Sequence, residues 1–163
     1  MHVTVRPAGR GDVAAICAIH NQGIADRIAT LDTTPRTVAD TDTWLAERGP
    51  RHPVLVADVN GAIVGWASLN RFNARAAYDQ VADFSVYVER AWRGKGVGRA
   101  LLEQLIERAR AIGFHKMVLA AMAFNTAGIA LYTRAGFERV GIYREQGQLD
   151  GRWVDVTIME KIL

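Results

Sequence analysis

Residues 86–109 read VYVERAWRGKGVGRALLEQLIERA and place an unusual loop between two apolar patterns. The stretch up to Val88 is rich in β-forming residues and predicts the end of a strand. After Gly98 the apolar residues recur at helical spacing and predict an amphipathic helix. They are Leu101, Leu102, Leu105, Ile106 and Ala109. Between strand and helix lie three glycines and three basic residues, so this loop is either a flexible connection or a backbone opened to an anion.

Three phosphate-binding patterns compete for this loop. A P-loop requires serine or threonine after its Gly-Lys pair, and Lys95 is followed by Gly96. A dinucleotide-binding loop requires an acidic residue about twenty positions further on, and residues 113–119, GFHKMVL, contain none. The third pattern, Arg-x-x-Gly-x-Gly, is filled by Arg93, Gly96 and Gly98. Because N–H groups at a helix start attract phosphate and glycines let it approach, the sequence favours an anion site over a flexible turn.

The chain before residue 81 predicts two helices and a hairpin. The alternating segment HVTVRP predicts a strand, and Asp12 is expected to cap the helix that follows it. Thr37 is expected to cap a second helix. Two β-rich runs flank Asn60-Gly61, a pair favoured in type I′ hairpin turns. Residues 70–80 are polar and aperiodic and are predicted to form a loop.

The C-terminal part predicts a strand, a helix and a second hairpin. The apolar run at residues 115–122 is typical of a strand buried on both faces. Asn125 is expected to cap the next helix, which should stop at Gly136. The final hairpin should turn at Asp150-Gly151. The strand, helix and strand around the glycine loop, added to the hairpins, predict a mixed α/β fold.

Size and composition predict one domain spanning residues 1–163. A net charge of +3 without a basic run argues against nucleic-acid binding. The longest apolar run, MVLAAMAF, is too short to cross a bilayer, and no signal peptide is recognisable, so we expect a cytoplasmic protein. Cys17 is the only cysteine, and His20, His52 and His115 lack ligand spacing, so no metal is expected.

The glycine loop, with its strand and long helix, resembles the acetyl-CoA motif of the GNAT N-acetyltransferase superfamily. Over nearly its whole length the chain is similar to the phosphinothricin acetyltransferase-like branch, through IHNQGI, ARAAYD, FSVYV, RGKGVGRALL, ARAIGFHKMV, LYTRAGF and GRWVDV. The combination of DRIATLDTTPRT with FSVYV resembles members associated with arsinothricin. The resemblance implies a GNAT fold, with a mixed, mostly antiparallel sheet, flanking helices and a central acetyl-CoA cleft.

The resemblance also implies which residues bind acetyl-CoA. The strand that ends at Val88 is expected to pair with the pantetheine arm, and the glycine loop is expected to hold the pyrophosphate. Asn125, the predicted cap of the helix that follows, is expected to contact the cofactor. These residues are Val86, Tyr87, Val88, Arg93, Gly94, Lys95, Gly96, Val97, Gly98, Arg99, Asn125 and Tyr132.

Three residues are expected to carry the chemistry. Asp83 stands where the branch usually has glutamate, and it is expected to accept the amine proton, directly or through water. The Val88 amide is expected to donate to the thioester oxyanion. Tyr132 lies seven residues after Asn125, on the same side of its helix, where many GNAT members have a general-acid tyrosine.

Substrate recognition is expected in two segments, 30–31 and 71–78. The candidate residues are Thr30, Leu31, Arg71, Asn73, Arg75 and Tyr78. Arginine suits a bidentate grip on a carboxylate or phosphinate. Leu31 and Asn73 replace the phenylalanine and the basic residue usual in the branch, which leaves the exact substrate open.

The sequence therefore predicts an acetyl-CoA-dependent N-acetyltransferase of small amino-acid-like amines, acting in a ternary complex and as a homodimer. Phosphinothricin, arsinothricin and methionine sulfoximine or sulfone form the substrate class that the resemblance implies. The alternatives are a GNAT enzyme for a protein N-terminus or a polyamine, and an acyl-CoA-binding module without turnover.

Overall fold

The computed structural model describes residues 2–163, which form one seven-stranded sheet with helices on both faces. The strand order is β1-β2-β3-β4-β5-β7-β6, and only the pair β4–β5 is parallel. The strands are β1 Thr4–Pro7, β2 Val54–Val59, β3 Ala62–Arg71, β4 Val81–Val88, β5 Lys116–Met122, β6 Glu138–Leu149 and β7 Arg152–Ile162. The helices are α1 Val13–Asp26, α2 Val38–Ala46, α3 Val97–Ile112 and α4 Thr126–Arg134. The predicted mixed, mostly antiparallel fold is confirmed.

Both predicted hairpin turns are present. Asn60 and Gly61 join β2 to β3 with φ angles of 53° and 86°. Asp150 and Gly151 join β6 to β7 with φ angles of 50° and 77°. Two successive left-handed residues define the type I′ turn, whose twist matches that of the flanking strands.

The sheet separates two apolar layers. On one face, the predicted stripe of α3 is buried, with Leu101, Leu102 and Leu105 at 0% exposure, and it packs against Leu69 and Phe84 of the sheet. The other face carries α1 and α2. There Ile16 and Ile19 pack with Val54, Val56 and Trp66 in a second cluster.

Helix capping follows the sequence at two of three positions. The Thr37 hydroxyl accepts from the Asp40 N–H at 3.0 Å, and Asn125 Oδ1 accepts from the Gly128 N–H at 3.0 Å. Asp12 stands at the predicted N-cap position of α1, but its side chain makes no capping hydrogen bond. Its carboxylate accepts instead from Arg6 at 2.8 Å and from the Gly9 N–H at 2.8 Å in the preceding 3-10 turn.

Two strand predictions need correction. Strand β5 is not buried on both faces, since Ala120 is exposed. The predicted loop at 70–80 is shorter, because Asn70 and Arg71 extend β3 by pairing with β4, and Ala76–Tyr78 form a 3-10 turn. Within residues 2–163 we find no helix that is both long and apolar enough to span a membrane.

Candidate active site

The two parallel strands separate in the middle of the sheet. Strands β4 and β5 pair only from Val81 opposite Lys116 to Asp83 opposite Val118, whereas β4 stays paired with β3 up to Val88. The remaining part of β4 therefore has a free edge facing β5. We call this opening between β4 and β5 the strand cleft.

The backbone of Val88 faces the strand cleft. The next residue, Glu89, donates its N–H to the Val64 carbonyl at 2.9 Å on the β3 side. Because backbone groups alternate between the two edges of a strand, the N–H of Val88 points to the opposite edge. The Val88 carbonyl on that edge accepts from Arg93 Nε at 3.2 Å. The Val88 N–H has no hydrogen-bond acceptor within residues 2–163.

The glycine loop turns the chain from β4 into the start of α3. Gly94 and Gly96 have φ angles of 74° and 86°, a left-handed backbone that other residues rarely adopt, and a Cβ at either would meet only open space. Gly98 packs closely, since a Cβ there would lie 3.3 Å from the Leu131 side chain and 3.5 Å from Val88. The glycines therefore shape the loop and bring α3 close to β4.

The loop presents a row of free N–H groups. From Gly94 to Arg99, none of the six backbone N–H groups has an acceptor in the part of the chain that the structure describes, and the first bond of the helix runs from Ala100 N–H to Gly96. Such groups at a helix start bind anions, with the positive end of the helix dipole behind them. The arrangement fits a pyrophosphate.

The basic side chains of the loop are less available than the sequence indicated. Arg93 Nη1 lies 2.7 Å from Asp26 of α1, so its guanidinium ties α1 to the end of β4. Arg99 pairs with Glu103 at 2.7 Å on the surface. Lys95 Nζ lies 5.4 Å from the centre of the Trp92 ring. An anion at this loop would therefore meet mainly backbone N–H groups.

Asp83 lies inside β4, at the last residue before the strands separate. Its direct partner on β3 is Asn70, so both side chains project from the same face, the one that carries α1 and α2. Burial raises the pKa of Asp83 to about 6, with the Asn70 amide acting in the opposite direction. At pH 7 most of this carboxyl is ionised, yet it still binds a proton more readily than an ordinary aspartate. A base of this strength suits proton transfer near neutral pH.

Tyr132 lies on the other face, in the layer of α3 and α4. Its ring packs edge-on against Phe84 and Phe137, with centroids 5.7 and 6.2 Å away. Burial raises the pKa of Tyr132 to about 12, with smaller contributions from Tyr87 and Asp83. The hydroxyl therefore stays protonated at neutral pH and remains a proton donor.

The predicted substrate residues do not converge on one pocket. Arg71, Asn73, Arg75 and Tyr78 are all exposed. Arg71 bonds the Ala74 carbonyl at 3.1 Å, and Asn73 Oδ1 accepts from the Arg75 N–H at 2.9 Å. These contacts shape the loop and leave the Arg75 guanidinium without a partner within residues 2–163.

The other two predicted substrate residues lie between α1 and α2. Leu31 is 38% exposed and reaches towards Gly147 of β6, where a Cβ would lie 3.0 Å from the leucine. Thr30 lines a cavity of about 290 Å³ on the α1 and α2 face, which we call the His20 cavity. The cavity is lined by His20, Thr30, Asp32, Arg36, Trp44, Trp66, Ser68, Asn70, Ser85 and Tyr87.

Most of this cavity escaped the sequence analysis. Tyr87 was expected to contact acetyl-CoA rather than this cavity, and the period of two along β4 is the only signal in the sequence for Ser85. The sequence pattern predicts a loop at Asn70, yet its amide nitrogen donates to Ser85 Oγ at 3.2 Å and its amide oxygen accepts from Arg48 at 2.9 Å. The remaining side chains come from distant segments that only the fold brings together.

Comparison with known proteins places this chain in a family. The family model for the acetyltransferase (GNAT) family matches residues 21–137. An L-methionine sulfoximine/L-methionine sulfone acetyltransferase of Pseudomonas aeruginosa is 40% identical over 98% of this chain and 94% of its own length.

Two solved structures are similar throughout. A GNAT superfamily phosphinothricin acetyltransferase from Sinorhizobium meliloti, in complex with acetyl-CoA, is 33% identical with a TM-score of 0.94, covering 100% of this chain and 89% of its own. A ribosomal-protein-alanine N-acetyltransferase from Brucella melitensis is 37% identical with a TM-score of 0.95, covering 98% and 99%. The chain belongs to the acetyltransferase (GNAT) family and is an N-acetyltransferase that uses acetyl-CoA as co-substrate.

Proposed function

We propose that this enzyme acetylates the α-amine of a small amino acid of the phosphinothricin, arsinothricin or methionine sulfoximine and sulfone class, and so detoxifies it. The observation that carries the proposal is the half-buried carboxyl of Asp83, on the last residue before the strand cleft opens, with a pKa of about 6. The relatives that act on phosphinothricin and on methionine sulfoximine support the substrate class.

The donor half of the site is formed mainly by backbone. The free N–H groups from Gly94 to Arg99 hold the pyrophosphate, and the open edge pairs with the pantetheine amides through Val86 and Val88, because the backbone groups of Tyr87 between them point to β3. Bound there, acetyl-CoA supplies an activated acetyl group as a thioester. Asn125 keeps its Oδ1 in the helix cap, which leaves its amide nitrogen free for a cofactor contact.

Asp83 acts as the base. An α-amine with a pKa near 8 is mostly protonated at pH 7 and must lose a proton before it attacks. Asp83 accepts that proton directly or through a water, since aspartate is shorter than the glutamate usual in the branch. Because burial raises the pKa of Asp83, its protonated carboxyl forms more readily than that of an ordinary aspartate.

Val88 and Tyr132 complete the transfer. The new N–C bond forms and the C–S bond breaks. Meanwhile the acetyl oxygen carries negative charge and accepts a hydrogen bond from the Val88 N–H. Tyr132 then gives its proton to the departing thiolate. The nitrogen loses its second proton to solvent as the amide forms, and the tyrosine regains a proton from solvent. The raised pKa of about 12 keeps the Tyr132 hydroxyl protonated beforehand. Asp83 and Tyr132 reach the cleft from opposite faces of the sheet, which fits direct transfer in a ternary complex.

The proposed acceptor contacts are the loop of Arg71, Asn73, Arg75 and Tyr78 and the segment of Thr30 and Leu31, of which only Thr30 lines the His20 cavity. The free guanidinium of Arg75 suits the carboxylate of the amino acid.

We expect two copies to associate through the β6–β7 hairpin, where Ile142 is 45% exposed, Tyr143 55% and Trp153 60%. We also expect a cytoplasmic location, because acetyl-CoA is a metabolite of that compartment.

A thiol-release assay with a panel of amines tests the proposal. Release of one thiol for each N-acetylated amino acid supports it. A polyamine fits poorly, because the acceptor loop carries Arg71 and Arg75 against a single acid, Asp79. Acetylation of a peptide N-terminus alone, the reaction named for the Brucella relative, would replace the proposed substrate. Binding of acetyl-CoA without thiol release for any amine would favour a non-catalytic module.

A further inference from the structure

The His20 cavity contains three buried polar atoms without a partner. His20 is 4% exposed, and neither Nδ1 nor Nε2 makes a hydrogen bond within residues 2–163. The Nε1 of Trp66, which is 3% exposed, is also unpaired in this part of the chain. Buried polar groups in proteins almost always have a partner, so three orphaned atoms around one cavity indicate a polar occupant.

The neighbours of His20 do not supply that partner. Asp32 Oδ2 lies 3.7 Å from Nε2, which is too long for a hydrogen bond. Burial, aided by Arg36, lowers the pKa of His20, so the ring is neutral at pH 7. A neutral imidazole offers one donor and one acceptor.

Packing fixes the orientation of these rings. Trp66 stacks on Tyr87 with centroids 4.8 Å apart, and His20 lies 5.0 Å from the same tyrosine. His20 projects from α1 and Trp66 from β3, and both rings pack against Tyr87 in the layer between helix and sheet. The polar edges are therefore preorganised for a ligand.

The cavity begins beside the proposed base. Asn70 lines it and is the direct β3 partner of Asp83, and Ser85 lies two residues further along the same face of β4. Two residues of a strand span about 6.6–6.8 Å. An amino acid with its amine at Asp83 therefore has its side chain within reach of the cavity.

We infer that the His20 cavity binds the distal group of the acceptor's side chain and prefers a group that carries both a hydrogen-bond donor and an acceptor. This inference rests on the proposed function. The oxygen of a sulfoximine accepts from Trp66 Nε1, and its N–H donates to the acceptor nitrogen of His20. A sulfone has only oxygens, so it leaves that nitrogen unpaired. The cavity of about 290 Å³ is large enough for either side chain.

His20→Phe tests the assignment, because it removes both nitrogens and keeps an aromatic ring against Trp66 and Tyr87. We expect the KM for L-methionine sulfoximine to rise about tenfold, the KM for the sulfone to change less than threefold, and the KM for acetyl-CoA to stay unchanged. His20→Gln, which restores a donor and an acceptor, should recover much of the loss. Ile19→Val trims a buried neighbour on the same helix and controls for loss of stability.

Direct binding gives a readout that does not need turnover. L-methionine sulfoximine should change the tryptophan fluorescence of the wild type without acetyl-CoA, because Trp44 and Trp66 line the cavity. The change should be smaller in His20→Phe than in Ile19→Val. Equal KM values for sulfoximine in His20→Phe and wild type would refute the cavity assignment alone. A wild type that neither binds nor acetylates any amino acid of the class would refute the proposed function as well.

Discussion

Replacement of Asp83 by asparagine should make the protein more stable and less active. The pKa of about 6 lies about two units above the ordinary value of 3.8, which corresponds to about 3 kcal/mol of unfavourable ionisation. Solvent screening at this partly accessible carboxyl reduces the figure to about 1–3 kcal/mol. Since the folded state holds the proton more tightly than the unfolded state, this part of the stability is present below pH 4 and is lost as the pH rises to 6 and above.

Asp83→Asn removes that ionisation. The variant should therefore exceed the wild type in free energy of unfolding by about 1–3 kcal/mol at pH 8 and match it near pH 4, as measured by urea denaturation at both pH values. Its kcat should fall about 100-fold at pH 7 and less at pH 9, where the amine loses its proton unaided. Asp42→Asn, which changes a surface carboxylate paired with Arg10, controls for the loss of a charge.

The titration of Asp83 should also appear in the pH dependence of wild-type activity. The wild-type kcat/KM should rise with an apparent pKa near 6, and this limb should be absent from Asp83→Asn. Two results would contradict the reasoning: wild-type kcat in the variant at pH 7, or a stability difference that is the same at pH 4 and pH 8.

Three further changes separate the parts of the site. Tyr132→Phe should lower kcat about 10- to 100-fold and leave the Kd for acetyl-CoA unchanged in a calorimetric titration; an unchanged kcat would exclude the proton donor. Gly96→Ala should lower the free energy of unfolding by about 1–2 kcal/mol and raise the Kd for acetyl-CoA about tenfold. Gly113→Ala is the control, because Gly113 has a similar φ of 101° at the other end of α3, and it should lower stability without changing that Kd. Equal Kd values in the two glycine variants would argue against a backbone anion site. Arg75→Ala should raise the KM of the amino acid about tenfold with little effect on kcat in steady-state assays, and an unchanged KM would remove Arg75 from the acceptor site.

Local sequence signals predicted the parts of the fold that depend on neighbouring residues. Asn60-Gly61 requires a left-handed turn, and the helical spacing of the apolar residues in α3 defines one buried stripe. The Asn125 cap was equally readable, since its partner Gly128 is three residues away. The Asp12 carboxylate makes no cap bond because it pairs with Arg6 of β1, six positions away, a contact that depends on how β1 lies against the helix start.

Tertiary contacts decided what the sequence left open. Asp83 was recognisable as a candidate base, but its burial follows from the register that places it between Asn70 and Val118. The sequence also indicated that Arg93 adds charge to the anion site, whereas Asp26 of α1, 67 positions away, binds its guanidinium. The His20 cavity combines residues of α1, α2, β3 and β4, and no local pattern marks such a set.

The most direct test of the proposed function is the stoichiometry of acetyl transfer. Purified protein is mixed with acetyl-CoA and L-methionine sulfoximine at pH 7.5, and the released thiol and the N-acetylated product are measured together by absorbance and mass spectrometry. The proposal predicts one N-acetyl amino acid for each thiol, with the reaction lost in Asp83→Asn. Binding of acetyl-CoA with no thiol release for any amino acid of the class would contradict it.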